Sequence, residues 1–382
     1  MKEYIKLISG IVTRNSLKLL FPIFKIRKNR ILFSSYNGEQ YSCNPKYISE
    51  YLNSEYMGEF EIIWSFNNPE KFEKIKAKNS NIKVIRNRSL KWIYYTMTSK
   101  FGVTNTGVNS FIPLRKKQCF INTWHGGGCY KKVEGSDERK NTAYINKIKT
   151  VANMTSIFLS SSEFFSNNVI RKSFLYNGEI LNIGMPRNDI LFKDDKNIKN
   201  IVRKNLNISS EAFVVLYAPT WRKMKKEIDT DLNFEKLRKS IERKFGRECI
   251  LLYRAHHFSK KSMFKDDVID VSEYDDMQQL MCLSDMLITD FSSCIWDYSF
   301  TYKPCFLLIP DLNEYKKTVG FEVDIYKWGF PISLSNDELC KNILDFDAEK
   351  FKIYMEKHHE ALVNYENGNA CKIICEKIKN CM

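Results

Sequence analysis

No run of about 20 clean apolar residues occurs in this chain, so a membrane-spanning helix is not expected. The nearest approach, Tyr4 to Phe24, is broken by Lys6, Arg14, Asn15 and Lys18, and no secretory signal is evident. Of eleven cysteines none forms a CxxC pair; Cys371 and Cys375, one helical turn apart, come closest. An odd count in a long chain, with Cys119, Cys249 and Cys305 inside strand-like runs, argues for buried, reduced thiols in a cytosolic protein. There is no obvious internal repeat, no helix-turn-helix and no RNP-like motif. The aromatics are not interleaved with a basic patch, which speaks against nucleic acid as partner. No acidic or cysteine residue stands at ligand spacing from His256-His257, so a metal site there is not expected, and the sequence assigns no cofactor and leaves divalent cation dependence open.

What is present is charge of one sign. Sixty Lys and Arg against 45 Asp and Glu leave a net charge of +15, which calls for an anionic partner such as a phosphorylated substrate or an anionic membrane surface. With 43% hydrophobic and 14% aromatic residues the chain is globular, and its 382 residues suit two domains. At the N-terminus, Ile5, Ile8, Val12 and Leu19 would share one helical face, with Leu7, Leu17 and Phe21 elsewhere. Lys25, Arg27, Lys28 and Arg30 follow, so residues 1–29 read as a basic amphipathic segment lying on the cytoplasmic leaflet. The alternative is a first helix packed on the protein's own core.

Apolar, β-branched or aromatic runs alternate with helical patterns. Strands are expected near 30–34, 60–64, 82–86, 101–104, 118–122, 156–160 and 179–183, then near 213–217, 249–253, 268–271, 286–289 and 304–308. Strand alternating with helix is the signature of parallel α/β units. The charged, Asn-rich stretch 193–210 fits a linker with an entry helix. The expected architecture is α/β: two Rossmann-like domains, 30–195 and 196–345, facing across a cleft, with C-terminal helices over 346–382.

Ligands of open parallel sheets bind outside the carboxyl ends of the strands. Four clusters sit there. Thr123-Trp124-His125-Gly126-Gly127-Gly128 places a titratable ring beside bare backbone, with Lys131 and Lys132 close behind. Its bland reading is a glycine turn with a solvated histidine. Ala218-Pro219-Thr220-Trp221-Arg222 brings a hydroxyl and a guanidinium suited to phosphate to a strand end, or is a strand terminator with a surface arginine. In Arg254-Ala255-His256-His257, Arg254 and His256 would point the same way and grip one diphosphate. Thr289-Asp290-Phe291-Ser292-Ser293 precedes a helix, with Asp290 or Ser292 as the expected N-cap and Ser292 and Ser293 as hydroxyl donors to an anion. An ordinary capped helix is the plainer account. Gly184-Met185-Pro186-Arg187-Asn188-Asp189 reads as a turn with Arg187 and Asp189 toward the cleft. His358-His359, on a helix, is expected to be exposed.

Together these clusters resemble the CDP-glycerol:polyglycerophosphate glycerophosphotransferase family, the teichoic-acid primases and polymerases and their capsule relatives. The matching pieces run in order: Thr123–Gly126 with Lys131-Lys132, Gly184–Asn188, Ala218–Arg222, Arg254–His256, Thr289–Ser293, then Lys303-Pro304 through Asp311-Leu312 and Gly320-Phe321. The resemblance covers roughly residues 30 to 345. Two positions depart from it: Gly127-Gly128 stands where Thr-Pro is common, and His257 where Pro is common. The resemblance implies a GT-B-like fold, a CDP-alcohol donor held by the C-terminal domain, release of CMP, and peripheral membrane attachment because the anionic polymer acceptor is lipid-linked. It implies catalytic roles for His125 and His256. Arg254, Thr289, Asp290, Ser292, Ser293, Thr220 and Arg222 would bind the donor, and Gly126, Gly127, Lys131 and Arg187 acceptor or phosphate. A GT-B glycosyltransferase using a nucleotide sugar is the alternative within enzymes. A non-catalytic basic protein that binds nucleic acid or polymer is the alternative outside them.

Overall fold

The computed structural model describes residues 2–78, 81–128, 130–133, 142–193, 195–220, 232–255 and 268–382. The chain divides into two compact units: Met1–Gly127 with Val133–Asp189 and Asn364–Met382, and Gly128–Lys132 with Ile190–Val363.

The first unit carries a parallel sheet of β1 (Arg27–Ser34), β2 (Glu61–Phe66), β3 (Ile82–Arg86), β4 (Ser99–Thr104), β5 (Cys119–Asn122), β6 (Ile157–Ser160) and β7 (Glu179–Asn182). Their order is β3-β2-β1-β4-β5-β6-β7. The second unit carries β8 (Phe213–Ala218), β9 (Cys249–Tyr253), β10 (Val268–Asp270), β11 (Met286–Thr289), β12 (Cys305–Leu308) and β13 (Ile332–Ser333), in the order β10-β9-β8-β11-β12-β13. Each sheet starts at its centre, winds to one edge, then returns and winds to the other. That is the doubly wound order of nucleotide-binding folds. The strand reversal falls between β1 and β4 in one sheet and between β8 and β11 in the other.

Central strands of parallel sheets are covered on both faces and so read as unbroken apolar runs. β8, Phe-Val-Val-Leu-Tyr-Ala, is buried at every position, as are β6 and β11. The edge strands β3 and β7 alternate or expose their side chains. Twelve of the strands fall where expected; β13, only two residues long, was not anticipated. In the first core Trp64 stacks between Phe33 (5.4 Å) and Phe66 (5.5 Å). Ala370, Ile374, Cys375 and Ile378 of the last helix, Ala370–Asn380, belong to the same cluster. Their spacing puts one apolar stripe of that helix against the first sheet. None of the ten described cysteines forms a disulfide, and burial pushes thiols such as Cys119 and Cys282 up to about 11.

Three local expectations are corrected. Arg30 is not part of an exposed basic cluster: it is 2% exposed and its Nε donates to Glu61 at 2.7 Å. Asp189 lies inside the first unit, where its carboxylate accepts the N–H groups of Ala370 (3.0 Å) and Cys371 (2.7 Å) at the start of the last helix. His358 and His359 are buried, at 6% and 3% exposure. Phe351, Met355, His358 and His359 form the inward stripe of helix Ala348–Ala361. His358 Nε2 lies 2.7 Å from the Tyr130 hydroxyl, and His359 Nε2 lies 2.7 Å from that of Ser299.

The N-terminal helix, Lys2–Leu17, leads into a segment with two apolar sides. Leu17, Leu20, Phe21 and Phe24 pack on a cluster around Leu32, Ile63 and Trp92, while Ile11, Val12, Leu19 and Ile23 are exposed. No described helix is long and apolar enough to cross a membrane.

The histidine pair ties stability to pH. Burial lowers His358 from 6.5 to about 4, and burial followed by the neighbouring His358 lowers His359 to about 3. Both bind protons more readily in the unfolded chain, so their contribution is complete above pH 6.5 and is lost as pH falls through the window down to 4 and 3. Denaturant titration should show the second unit weakened by roughly a few kcal/mol at about pH 4.5 relative to about pH 7.5. His359→Gln should flatten that slope; an unchanged slope would count against this account.

Candidate functional site

The first half-site is built where β1 and β4 end side by side. β1 runs into Ser35 and Tyr36, and β4 into Asn105, which is fully buried. The Asn105 side chain ties the two ends together: its Oδ1 accepts the Tyr36 N–H at 2.8 Å and its Nδ2 donates to Ser35 Oγ at 3.2 Å. Its backbone carbonyl lies 2.7 Å from Nδ1 of His125. A carbonyl only accepts, so this contact places a proton on Nδ1, and in the neutral ring the basic nitrogen is then Nε2.

His125 follows β5 and is half-buried. Its ring lies 4.1 Å from that of Trp124 and 5.4 Å from that of Tyr36. Trp124 has a left-handed backbone, with φ of 53°. A bulky residue in that region costs on the order of 1–3 kcal/mol and persists only where its surroundings hold it. Here Asn122 Oδ1 accepts the Trp124 N–H at 3.0 Å, and Asn44 Nδ2 donates to the Trp124 carbonyl at 3.1 Å. Asn44, fully buried, also accepts the Arg187 N–H at 3.0 Å, joining the histidine turn to the Gly184–Asn188 turn. Glu366 accepts from Met185 N at 2.9 Å and from Asn188 Nδ2 at 3.1 Å on the other side. Arg187 is 3% exposed and its Nη1 lies 3.2 Å from Cys43 Sγ, so its guanidinium is packed into the interior of this unit.

The three glycines after His125 do different things. Gly126 and Gly127 are buried in the first unit, and Gly127 accepts a hydrogen bond from the Ser161 hydroxyl. Gly128 belongs to the second unit, where a Cβ would come within 2.9 Å of Trp296 Cβ. Packing, not ligand approach, therefore requires the third glycine. Tyr130 then stacks on Trp328 at 4.2 Å, and half-exposed Lys131 forms an antiparallel bridge with Phe321.

The second half-site lies where β8 and β11 end side by side. Thr289, fully buried, donates from Oγ1 to the Ala218 carbonyl at 2.7 Å. Asp290, 3% exposed, accepts from Thr220 N (2.9 Å) and Thr220 Oγ1 (2.6 Å). These two side chains latch the β8 turn onto the β11 turn. Asp290 is therefore not an N-cap, and neither is Ser292. The cap position of the short helix Cys294–Ser299 is Ser293, with no side-chain cap bond of its own. Ser292 and Ser293 are half-exposed, and Ser292 Oγ accepts Cys294 N at 3.4 Å. Arg254 follows β9 and is half-exposed, with Nη1 donating to the carbonyls of Val271 (3.2 Å) and Tyr274 (2.5 Å). His256, His257, Trp221 and Arg222 lie outside the described residues.

Sequence reasoning missed Asn105, Tyr36 and Asn44. A signal was available for the first two. Ser35-Tyr36-Asn37-Gly38 and Asn105-Thr106-Gly107 are polar turns at strand ends, and they flank the strand reversal where ligands of such sheets bind.

Two doubly wound parallel sheets, each with polar side chains gathered at its strand reversal, make a GT-B-like fold, which binds ligands at its strand ends. The comparisons narrow this. The profile of the CDP-glycerol:poly(glycerophosphate) glycerophosphotransferase family matches residues 16–380, and the chain belongs to that family. It is 28% identical over 367 residues to a teichoic acid poly(glycerol phosphate) polymerase of Bacillus spizizenii, covering 91% of each chain. To a teichoic acid glycerol-phosphate transferase of Staphylococcus aureus it is 27% identical, covering 94% of this chain and 96% of that one. The solved structure of the wall teichoic acid polymerase TagF superimposes with a TM-score of 0.80 at 25% identity, covering 99% of this chain and 96% of that chain. The protein is thus a transferase that passes a polyol phosphate from a CDP-activated donor to a growing polymer, and the nucleotide-sugar and non-catalytic alternatives fall away.

Asn105→Ala tests the histidine's support. Losing two buried side-chain hydrogen bonds should cost roughly 1–3 kcal/mol of stability. With the carbonyl displaced, imidazolium loses an acceptor, so the acid limb of the kcat/KM profile for CMP release should move to lower pH while donor affinity by calorimetry holds. An unmoved acid limb would show that Asn105 does not govern His125.

Proposed function

We propose that His125 is the general base of polyol phosphate transfer. The hydroxyl at the end of the acceptor chain gives its proton to Nε2 as its oxygen bonds to the β-phosphorus of the CDP-polyol. The bond from that phosphorus to the bridging oxygen breaks, CMP leaves with the electron pair, and a phosphodiester remains. The observation that supports this reading is the 2.7 Å contact from Nδ1 to the Asn105 carbonyl, which in the neutral ring puts the lone pair on Nε2. A base so placed contributes roughly 10²–10⁴-fold.

Donor binding falls to the second unit in this reading. Arg254 and His256 hold the diphosphate, and the His256 imidazole stabilises the departing phosphate. Ser292 and Ser293 add hydroxyl donors to the phosphate oxygens, an arrangement of preorganised groups aimed at developing charge. Thr289 and Asp290 act through the β8 turn and Thr220, which they fix in place, and Arg222 and Lys131 supply further positive charge. Gly126 and Gly127 are buried, so in place of a direct contact with the acceptor they shape the turn that carries His125, and Arg187 supports that turn from inside. The net charge of +15 suits a polyanionic acceptor.

Glycerol phosphate is the polyol we assign. The glycerol-phosphate relatives match over 91% and 94% of this chain at 28% and 27% identity, whereas a ribitol-phosphate polymerase of Staphylococcus aureus matches over 69% at 26%. A variant of TagF was soaked with CDPG. Attachment to the membrane surface is assigned to exposed Ile11, Val12, Leu19 and Ile23, reinforced by exposed Lys25, Arg27 and Lys28.

CMP release with a lipid-linked acceptor should be faster from CDP-glycerol than from CDP-ribitol; the reverse preference would overturn the polyol assignment. His125→Ala should abolish release and leave donor binding nearly intact, and wild-type turnover in that variant would refute the base. His256→Ala should weaken donor binding as well as slow the chemistry. For the membrane, Leu19→Asp with Ile23→Asp should end co-sedimentation with phosphatidylglycerol vesicles without loss of fold. These variants are preferable to deleting residues 1–28, which would strip Leu17, Leu20, Phe21 and Phe24 from the core.

A further inference from the structure

Beside His125, within the first unit, lies a cavity of about 100 Å³. Trp124 and Phe174 form its aromatic wall, with their rings 4.5 Å apart edge to face. Val151 of helix Thr142–Met154 forms the opposite side, and Lys147 of the same helix stands exposed at the rim. Asn122 and Gly107 complete it at the carboxyl ends of β5 and β4. Because Asn122 Oδ1 is occupied by the Trp124 N–H, the amide NH₂ is the end turned toward Gly107, 3.8 Å from where a Cβ on that residue would stand. That Cβ would also come within 3.0 Å of Val151 Cγ1, and Gly107 has φ of +87°. Glycine here lets the turn after β4 adopt its left-handed backbone close against Val151.

We infer that this cavity is an acceptor subsite, taking the polyol phosphate unit that lies behind the reacting hydroxyl. The inference rests on the phosphotransferase reading above. Its chemistry fits each part of such a unit. Flat rings take the C–H faces of a short polyol, the Asn122 NH₂ and the bare backbone of Gly107 meet hydroxyl oxygens, and Lys147 meets a phosphate. Ligand sites are built this way, mostly apolar with a few placed polar groups. At about 100 Å³ the cavity lies below the roughly 300–1,000 Å³ of pockets that enclose whole drug-sized molecules, which suits a short unit better than a nucleotide. A plain alkyl chain would leave the Asn122 amide without a partner in an apolar setting. The Trp124 ring lines the cavity and lies 4.1 Å from that of His125, which puts the cavity next to the base.

The test uses the full chain and a synthetic glycerol phosphate trimer, without any CDP donor. By calorimetry the wild type should bind the trimer, Val151→Trp should weaken it at least tenfold by filling the cavity, and Lys147→Ala should weaken it several-fold and remove much of its salt dependence. In turnover both variants should raise KM for a lipid-linked acceptor and leave KM for CDP-glycerol unchanged. Lys147 is exposed, so its variant keeps the test open should Val151→Trp fail to fold. Wild-type-like trimer binding in both variants overturns the subsite, as does binding of a short alkyl detergent in place of the trimer, or no trimer binding at all. Absence of CMP release from wild type with either CDP-polyol would instead overturn the reaction, and the binding measurement would still report on the cavity.

Discussion

The proton on Nδ1 of His125 decides what the histidine can do, and a backbone carbonyl decides where that proton sits. A side-chain carboxylate in the same place would raise the basicity of the ring and add a negative charge beside it. The neutral carbonyl of Asn105 fixes the tautomer without that charge. Its aim depends in turn on the Asn105 side chain, which is tied to the end of β1. β1 and β4 are neighbours because the strand order reverses between them. The tautomer of the ring is thus a consequence of sheet topology.

The second sheet solves the same problem with a different residue. Where the first uses an asparagine after β4 to catch a backbone N–H after β1, the second uses Asp290 after β11 to catch the N–H and hydroxyl of Thr220 after β8. Polar side chains at both reversals close the gap that opens as neighbouring strands diverge. The carboxylate of Asp290, though buried, is tolerable because it accepts from the Thr220 N–H and hydroxyl. Half-exposed Ser292 and Ser293 follow it in the chain, and half-exposed Arg254 follows β9; all three carry hydrogen-bond donors.

Most of the fold was legible because buried parallel strands have few disguises. Val-Val-Leu-Tyr or Leu-Ile-Thr between charged stretches leaves little choice. β13 was not legible, since two residues carry no periodicity. His358 and His359 misled for a different reason: histidine counts as polar in any pattern, yet here it completes the inward stripe begun by Phe351 and Met355. Finding them inside required knowing that Tyr130 and Ser299 would supply hydroxyl partners. The histidine motif itself could be placed at a strand end from sequence. Its support could not, because Asn44 and Asn105 are ordinary polar residues in sequence and acquire their roles only through contacts 80 and 20 positions away. Asp290 shows the converse: a motif residue that sequence assigns to a ligand directs its acceptors to its own unit.

The chain passes from one unit to the other four times, after Gly127, Lys132, Asp189 and Val363. The final crossing returns Ala370–Asn380 to the core around Trp64, and Asp189 waits for the N–H groups at the start of that helix. On the ribosome, then, the sheet that emerges first is the one that must wait longest. Its apolar flank around Ile48 and Leu52 stays uncovered until Ala370–Asn380 has cleared the exit tunnel, at synthesis rates of about 5–20 residues per second. Translation through that helix is therefore a folding requirement of the beginning of the chain. A premature stop before Ala370 would leave the N-terminal sheet, and with it the histidine turn, as an exposed target for chaperones and proteases.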